Sequence, residues 1–344
     1  MQVTFGVDLA KRVFQIHGVD AGGAVIAQRQ LKRGQVLSYF ARQSPALIGL
    51  EACGSAHFWA RELTRLGHEV RLMPASYVKA YVKRNKNDAR DAEACCEAVG
   101  RPTMRFVPVK SVAQQCARSI HRARDLLVRQ RTQLGNAIRG LLYEMGITAA
   151  EGRAGCKALI DKALAHDPAI APALLTSLTP LARQWRALDD EVAGLDQAIV
   201  AAARADEATR RLMTIPGVGP VTAHAVVCAI GDGGQFASGR DFAAWVGLTR
   251  QNHDTGGKAR RTGAISRAGD SALRCLLVLG ASSRLRHVRA KPDAGRADPT
   301  VAWIHGLLAR RPVRVAVVAQ AAKTARIIWA VLRSGQSYRA GAAA

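Results

Sequence analysis

The chain has 344 residues, 49% apolar and 22% charged, which excludes a disordered protein and allows about two domains with real cores. Fifty Lys and Arg stand against 26 Asp and Glu, a formal net charge of +24, which calls for a polyanionic partner and points to nucleic acid. The basic residues are spread along the chain without a single amphipathic helix, no apolar run approaches a membrane span, and Asp8, Lys11 and Arg12 come too early for a signal peptide, so no membrane is expected.

Residues 2–75 alternate strand and helix signals. Residues 2–8, 13–19 and 24–31 read as three strands, with Gly22-Gly23 as a tight turn between the second and third. Residues 35–43 read as helix, 46–51 as a buried strand, 56–66 as an amphipathic helix and 69–74 as another strand. A three-strand meander followed by strand–helix–strand is the order of an RNase H-like fold. In that order Asp8 ends the first strand and Glu51 the fourth. Asp88 and Asp91, three apart on a helical stretch, share a helix face. Carboxylates brought to one point repel each other unless a cation sits among them, and hard oxygen ligands suit Mg²⁺ or Mn²⁺. Such ions can activate a nucleophile and stabilise a leaving oxygen at a phosphodiester. Lys11, Lys83, Arg84 and Lys86 are candidates to hold a phosphate backbone beside the metals; a solvated surface is the plain alternative.

Residues 111–147 read as one long helix. Its Leu127, Leu134, Ile138, Leu141 and Met145 form a near-heptad stripe, either intramolecular core or a dimerising coiled coil. A break is expected over 146–155 and a second long helix over 171–211, so that 111–205 forms a helical hairpin between two functional ends. The expected domains are therefore 1–110, 111–205 and 206–344.

The stretch Ile215-Pro216-Gly217-Val218-Gly219 reads as a helix-hairpin-helix turn. Gly217 and Gly219 permit positive φ and let backbone N–H groups approach a phosphate at a helix N-terminus; a ligand-free helix–helix turn is the alternative. A helix ending near Gly247 is followed by a polar loop over 249–258. In it Thr255 precedes Gly256-Gly257, where the backbone can come close to a ligand, and Lys258, Arg260, Arg261, Ser266, Arg267 and Arg274 follow. A hydroxyl among cations that stabilise a phosphorane is what attack on DNA requires, although Thr before Gly-Gly also serves turn chemistry. The seven cysteines form no CxxC pair and have no His at zinc-like spacing, which reads as reduced thiols in a cytosolic protein. His121 and His224 show no clear partner.

Gly6-Val7-Asp8-Leu9-Ala10-Lys11, Leu50-Glu51-Ala52, Lys86-Asn87-Asp88-Ala89-Arg90-Asp91-Ala92, Ile215-Pro216-Gly217-Val218-Gly219 and Ala264-Ile265-Ser266-Arg267-Ala268-Gly269-Asp270 occur in this order. Together they resemble the DEDD transposases of bacterial insertion sequences, the "one-ten" family and its "eleven-eleven" subgroup, over nearly the whole chain. The resemblance implies an α/β plus α architecture: a RuvC-like N-terminal domain, a coiled-coil segment and a mostly helical C-terminal transposase domain. It also implies a recombinase guided by a structured RNA from the element, which pairs with donor and target DNA. It further implies that a C-terminal serine forms a covalent 5′-phosphoserine link and works with the acid–metal site of a neighbouring protomer, in a homodimer or homotetramer. The family's nucleophilic serine falls on Thr255, and Asp254 precedes it where the subgroup often has another serine. Threonine keeps the hydroxyl but adds a methyl that crowds attack and restricts χ1. Ser266 is the nearest other hydroxyl, placed by the resemblance in a backbone-contact motif. The expected location is the bacterial cytoplasm, at the nucleoid. A metal-dependent junction resolvase or nuclease would need only Asp8, Glu51, Asp88 and Asp91. A noncatalytic nucleic-acid-binding relic of a transposase would need none of them.

Overall fold

The computed structural model describes residues 2–83, 87–253, 261–290 and 299–340, and divides into two compact units, Met1–Gln115 and Cys116–Ala344. In the first unit the strands β1 (Thr4–Leu9), β2 (Val13–Val19) and β3 (Val25–Lys32) lead into the short helix α1 (Val36–Phe40). Then come β4 (Leu47–Glu51), α2 (Ala56–Arg65), β5 (Glu69–Met73), α3 (Ala75–Val78) and α4 (Asp88–Val99). The strands form one sheet in the order β3-β2-β1-β4-β5. The first three pair antiparallel, whereas β4 lies parallel to both β1 and β5. This is the expected meander followed by strand–helix–strand.

Side chains alternate across a strand, so each strand divides its residues between two faces. Phe5, Val7, Phe14, Ile16, Ile48 and Leu50 form a buried core with Phe40 of α1 and with Trp59, Ala60 and Leu63 of α2. The alternate positions of β1 and β4 carry glycine. A Cβ on Gly6 would lie 2.1 Å from the Ala92 carbonyl oxygen and 2.2 Å from the Cys96 nitrogen. One on Gly49 would lie 2.7 Å from the Val99 Cβ and 2.8 Å from the Cys95 oxygen. Helix α4 therefore comes close to the sheet at these two glycines, most closely at Gly6, where its backbone meets the strand directly.

The second unit is mostly helical. It comprises α5 (Val112–Tyr143, begun before the unit boundary), α6 (Gly152–Leu164), α7 (Pro172–Ala205), α8 (Glu207–Met213), α9 (Pro220–Ile230) and α10 (Gly239–Trp245). A two-stranded ribbon, β6 (Arg250–His253) and β7 (Arg261–Ile265), precedes α11 (Ser271–Ala290), α12 (Pro299–Leu308) and α13 (Val313–Ser334). Leu134, Ile138 and Leu141 of α5 pack with Leu142, with Leu159 and Ile160 of α6, and with Leu178 and Trp185 of α7. That part of the heptad stripe is intramolecular core, whereas Met145 is exposed. The buried Asp189 of α7 accepts hydrogen bonds from Arg131 of α5 at 2.7 Å and from Arg153 of α6 at 2.8 Å. The hydrogen bond from Arg153, ahead of its charge and that of Arg131, holds Asp189 below the usual carboxylate range.

The elements differ from expectation in four places. Helix α6 occupies residues expected as a break and a connection, because a three-helix core is available to bury Cys156, Leu159, Ile160 and Ala163. The helix expected over 171–211 is interrupted at Asp206, whose carboxylate accepts from the Thr209 backbone N–H at 2.7 Å and starts α8. Residues 250–253, expected as polar loop, form a strand because a partner at 261–265 folds back onto them; neither segment has the apolar alternation that announces a strand. Helix α13 is long and apolar enough to cross a membrane by length and composition, contrary to the expectation that no such run exists. Its Ala316, Ala321, Ala325 and Ile328 are buried in the core of this unit.

Candidate active site

Gly6 and Asp8 are two apart on β1, and Gly49 and Glu51 two apart on β4. Gly6 pairs with Gly49 and Val7 with Leu50 in a parallel register. Period-two alternation then directs Asp8 and Glu51 to the face that α4 covers. The start of α4 is set by Asn87, whose side-chain oxygen accepts the Arg90 N–H at 2.9 Å. This cap puts Asp88 and Asp91 in the first turn, where the partial positive charge of unpaired N–H groups favours carboxylates. Replacing Asn87 by Ala is expected to destabilise the protein by about 1 kcal/mol, read as a lower urea midpoint with an unchanged slope. Asn87→Asp, which keeps the acceptor, is expected to retain the helix start.

The strand end and the helix start meet. One carboxylate oxygen each from Asp8, Asp88 and Asp91 lies within 4.8 Å of the others. Asp8 and Asp91 are partly buried and Asp88 is exposed. Glu51 stands outside that closest group, at the neighbouring strand end. Burial first, then the negative charges of Glu51, Asp8 and Asp91, push the Cys95 thiol strongly up. Burial, followed by Glu51 and Asp8, also raises Cys53. The donor set consists of hard oxygens and is open on the Asp88 side, so these residues fit Mg²⁺ or Mn²⁺ and do not suit a soft thiophilic ion.

The candidate phosphate contacts fare unequally. Lys11 is exposed. Lys83 sits 3.4 Å from Glu93 and 3.6 Å from Glu97 of α4. Arg84 and Lys86 lie outside the described residues, as do Thr255, Gly256, Gly257, Lys258 and Arg260 and the side chain of Arg261.

In the second unit, residues 215–219 form the turn between α8 and α9. Gly217 has φ +88°, and a Cβ there would lie 2.8 Å from the Gly280 oxygen of α11. Arg284 of the same helix donates to the Pro216 carbonyl at 3.4 Å. Gly217 thus serves helix packing, whereas Gly219, which starts α9, has open space where a side chain would stand. The Ser266 N–H donates to the Thr249 carbonyl at 2.9 Å, and Arg267 sits at φ +53°. Arg274, expected among the nucleic-acid contacts, holds the carbonyls of Val246 and Ala268 at 2.8 and 2.7 Å with one guanidinium nitrogen. It closes the turn after α10.

One cluster escaped sequence reasoning. His121 and His224, for which the sequence shows no clear partner, lie with Nε2 and Nδ1 2.9 Å apart, and the Cys228 sulfur is 3.6 Å from His224 Nε2. Burial first, then His224, pushes His121 down to about 4. His224 and Cys228 are one turn apart on the apolar helix α9, and that spacing was the available signal. His121 is distant in sequence, and only the packing of α5 reveals it.

Residues 5–147 match a DEDD-type family of the IS110 group, described as "Transposase", and residues 209–295 match the "Transposase IS116/IS110/IS902 family". Over 338 residues the chain is 49% identical to a "Probable family 20 transposase" of Pseudomonas aeruginosa, covering 98% of each chain. Over 338 residues it is 40% identical to the "Transposase for insertion sequence element IS1111A" of Coxiella burnetii, covering 98% of this chain and 91% of that one. Over 330 residues it is 37% identical to the "Transposase for insertion sequence element IS1328" of Yersinia enterocolitica, covering 96% of each.

The chain belongs to the IS110/IS116 family of transposases. The first match spans all four acids of the transposase, and the second spans the turn at 215–219 and Thr255 with its cations. A transposase acts on DNA, and DNA is the polyanion that the +24 charge called for.

Proposed function

We propose that this transposase is an RNA-guided DNA recombinase that excises and inserts its insertion sequence by phosphodiester strand exchange. The observation that carries the reading is the meeting of Asp8, Asp88 and Asp91 within 4.8 Å in a chain of this family. Asp8, Asp88 and Asp91 would hold Mg²⁺ or Mn²⁺, with Glu51 completing the set from the adjacent strand end. The bound ion supplies charge neutralisation at the scissile phosphate. The carboxylates fix its position and receive or relay the proton that the attacking hydroxyl loses.

Thr255 provides that hydroxyl. Its Oγ attacks the phosphorus, the P–Oγ bond forms, and the bond to the 3′ oxygen breaks. That oxygen takes a proton and leaves as a 3′-hydroxyl, while a 5′-phosphothreonine remains on the protein. Lys258, Arg260, Arg261 and Arg267 balance the charge that develops on the phosphoryl oxygens. Backbone N–H groups at Gly219 and the cations Lys11, Lys83, Arg84 and Lys86 hold the nucleic-acid backbone. The hydroxyl of one protomer works with the acids of another in a homotetramer, beside the element's structured RNA, at the bacterial nucleoid. The proposed division of labour is acids in residues 1–110, a helical segment in 111–205 and the hydroxyl in 206–344.

The test is an SDS-resistant adduct between the protein and labelled donor DNA, formed in the presence of Mg²⁺ and the co-purified RNA. Wild type and Thr255→Ser are expected to form it, and Thr255→Ala is not. Cleavage without an adduct would replace this reading by that of a metal-dependent nuclease. Neither cleavage nor adduct, with binding that weakens steeply in salt, would leave a nucleic-acid-binding relic.

A further inference from the structure

We infer that His121, His224 and Cys228 form a Zn²⁺ site that clamps α5 to α9, separate from the acid cluster and made of different chemistry. Two imidazoles and one thiol are the donors a borderline-soft divalent cation takes, and the set holds no hard oxygen. The three side chains offer donor atoms that all lie within 4.8 Å of one another. Tetrahedral Zn²⁺ with ordinary bond lengths places two nitrogen ligands about 3.3 Å apart and nitrogen and sulfur about 3.6 Å apart. The observed separations are 2.9 Å between His121 Nε2 and His224 Nδ1, and 3.8 Å between that Nδ1 and the Cys228 sulfur. These two separations lie within about half an ångström of the tetrahedral values, and the third pair of donors, His121 and Cys228, lies within 4.8 Å.

The scaffold supports the donors. His224 and Cys228 are buried and one turn apart on α9, so one helix face presents both. His121 comes from α5 and also lines a cavity of about 410 Å³ shared by α5, α9 and α11. Through His121 the proposed site borders that cavity. Arg124 and Arg118, the α5 cations that act on His121, are paired with Asp196 and with Asp270 at 3.2 Å respectively, so both charges are already countered. On binding, the Cys228 thiol releases its proton to solvent. The ring proton shared by the two histidines moves to a nitrogen that does not face the ion, so both imidazoles stay neutral.

The experiment uses full-length, tag-free protein. Co²⁺ is titrated into the apo-protein as a spectroscopic stand-in for Zn²⁺, followed by Zn²⁺. Wild type is expected to develop a near-ultraviolet thiolate-to-cobalt charge-transfer band that saturates at one equivalent and vanishes as Zn²⁺ displaces it. Asp8→Asn and Cys275→Ser are expected to keep the band, which separates this site from the carboxylates and from the thiol elsewhere in the cavity wall. Cys228→Ser and His224→Gln are expected to lose it, with folding checked by circular dichroism. Zn²⁺ is expected to raise the melting temperature of wild type and not of Cys228→Ser. No charge-transfer band in wild type, or a band that survives Cys228→Ser, would overturn the inference whatever the variants' stability.

Discussion

Asp8→Asn is expected to lower strand cleavage at least about 100-fold while leaving the protein folded and bound to nucleic acid. The substitution keeps the volume of the side chain and removes one of three carboxylates whose oxygens lie within 4.8 Å. Charge neutralisation by a bound cation is worth several kcal/mol at a phosphodiester, and each 1.36 kcal/mol is a factor of about ten in rate. The apo-fold gains, because like charges at close range repel, so the melting temperature is expected to stay level or rise in the absence of Mg²⁺. Three measurements decide: cleavage of labelled donor DNA, thermal melting with and without Mg²⁺, and nucleic-acid binding against salt. Binding is expected to keep its salt slope, since that is set by Lys and Arg contacts to phosphate. Wild-type cleavage by Asp8→Asn would remove the acids from the reaction.

Gly6→Ala should be nearly as damaging, by a different route. The added methyl would meet the Ala92 carbonyl at 2.1 Å and the Cys96 nitrogen at 2.2 Å, both backbone atoms of α4 that no rotamer change can move aside. An ordinary non-bonded contact is about 3.5 Å, so α4 must retreat from the sheet by roughly 1 Å. Forcing a methyl group into a packed core costs about 1–3 kcal/mol. The retreat also carries Asp88 and Asp91 away from Asp8, and a 1 Å displacement at a reacting centre costs about 100-fold in rate. Urea unfolding and the cleavage assay, run together, test both effects. Gly100→Ala, at the C-terminal cap of the same helix with open space around it, is the control expected to change neither. A Gly6→Ala protein with the wild-type urea midpoint and rate would show that close apposition of helix and sheet does not position the acids.

Much of the first unit was legible in one dimension. Strand alternation is a local property: Phe5 and Val7 face one way and Gly6 and Asp8 the other whatever the rest of the chain does. The five strand segments and the places of Asp8 and Glu51 at strand ends could therefore be read directly. The Asn87 cap that starts α4 was not read from the sequence, although a cap is a signal of the same local kind. The long helices were legible for the same reason, and their boundaries less so, because Asp206 interrupts a helical pattern through a single side-chain cap. The ribbon of β6 and β7 was not legible, since polar strands carry no periodic signal and are defined by pairing alone. Helix α6 was missed because its apolar residues become intelligible only against α5 and α7.

The amino-acid sequence by itself determined the charge that demands a polyanion, the strand order of the first unit and the family to which the chain belongs. Tertiary structure decided which groups meet. It brought Asp88 and Asp91 to Asp8 because two glycines on adjacent strands let α4 lie against the sheet. It engaged Arg274 and Gly217, both candidates for nucleic-acid contact, in hydrogen bonding and helix packing within the unit. It also joined His121 to His224 and Cys228 across more than a hundred residues. The physical reason is the range of the interactions: periodicity and caps act within a few residues, whereas close approach, cation pairing and metal-ligand geometry depend on which surfaces the packed chain brings into contact.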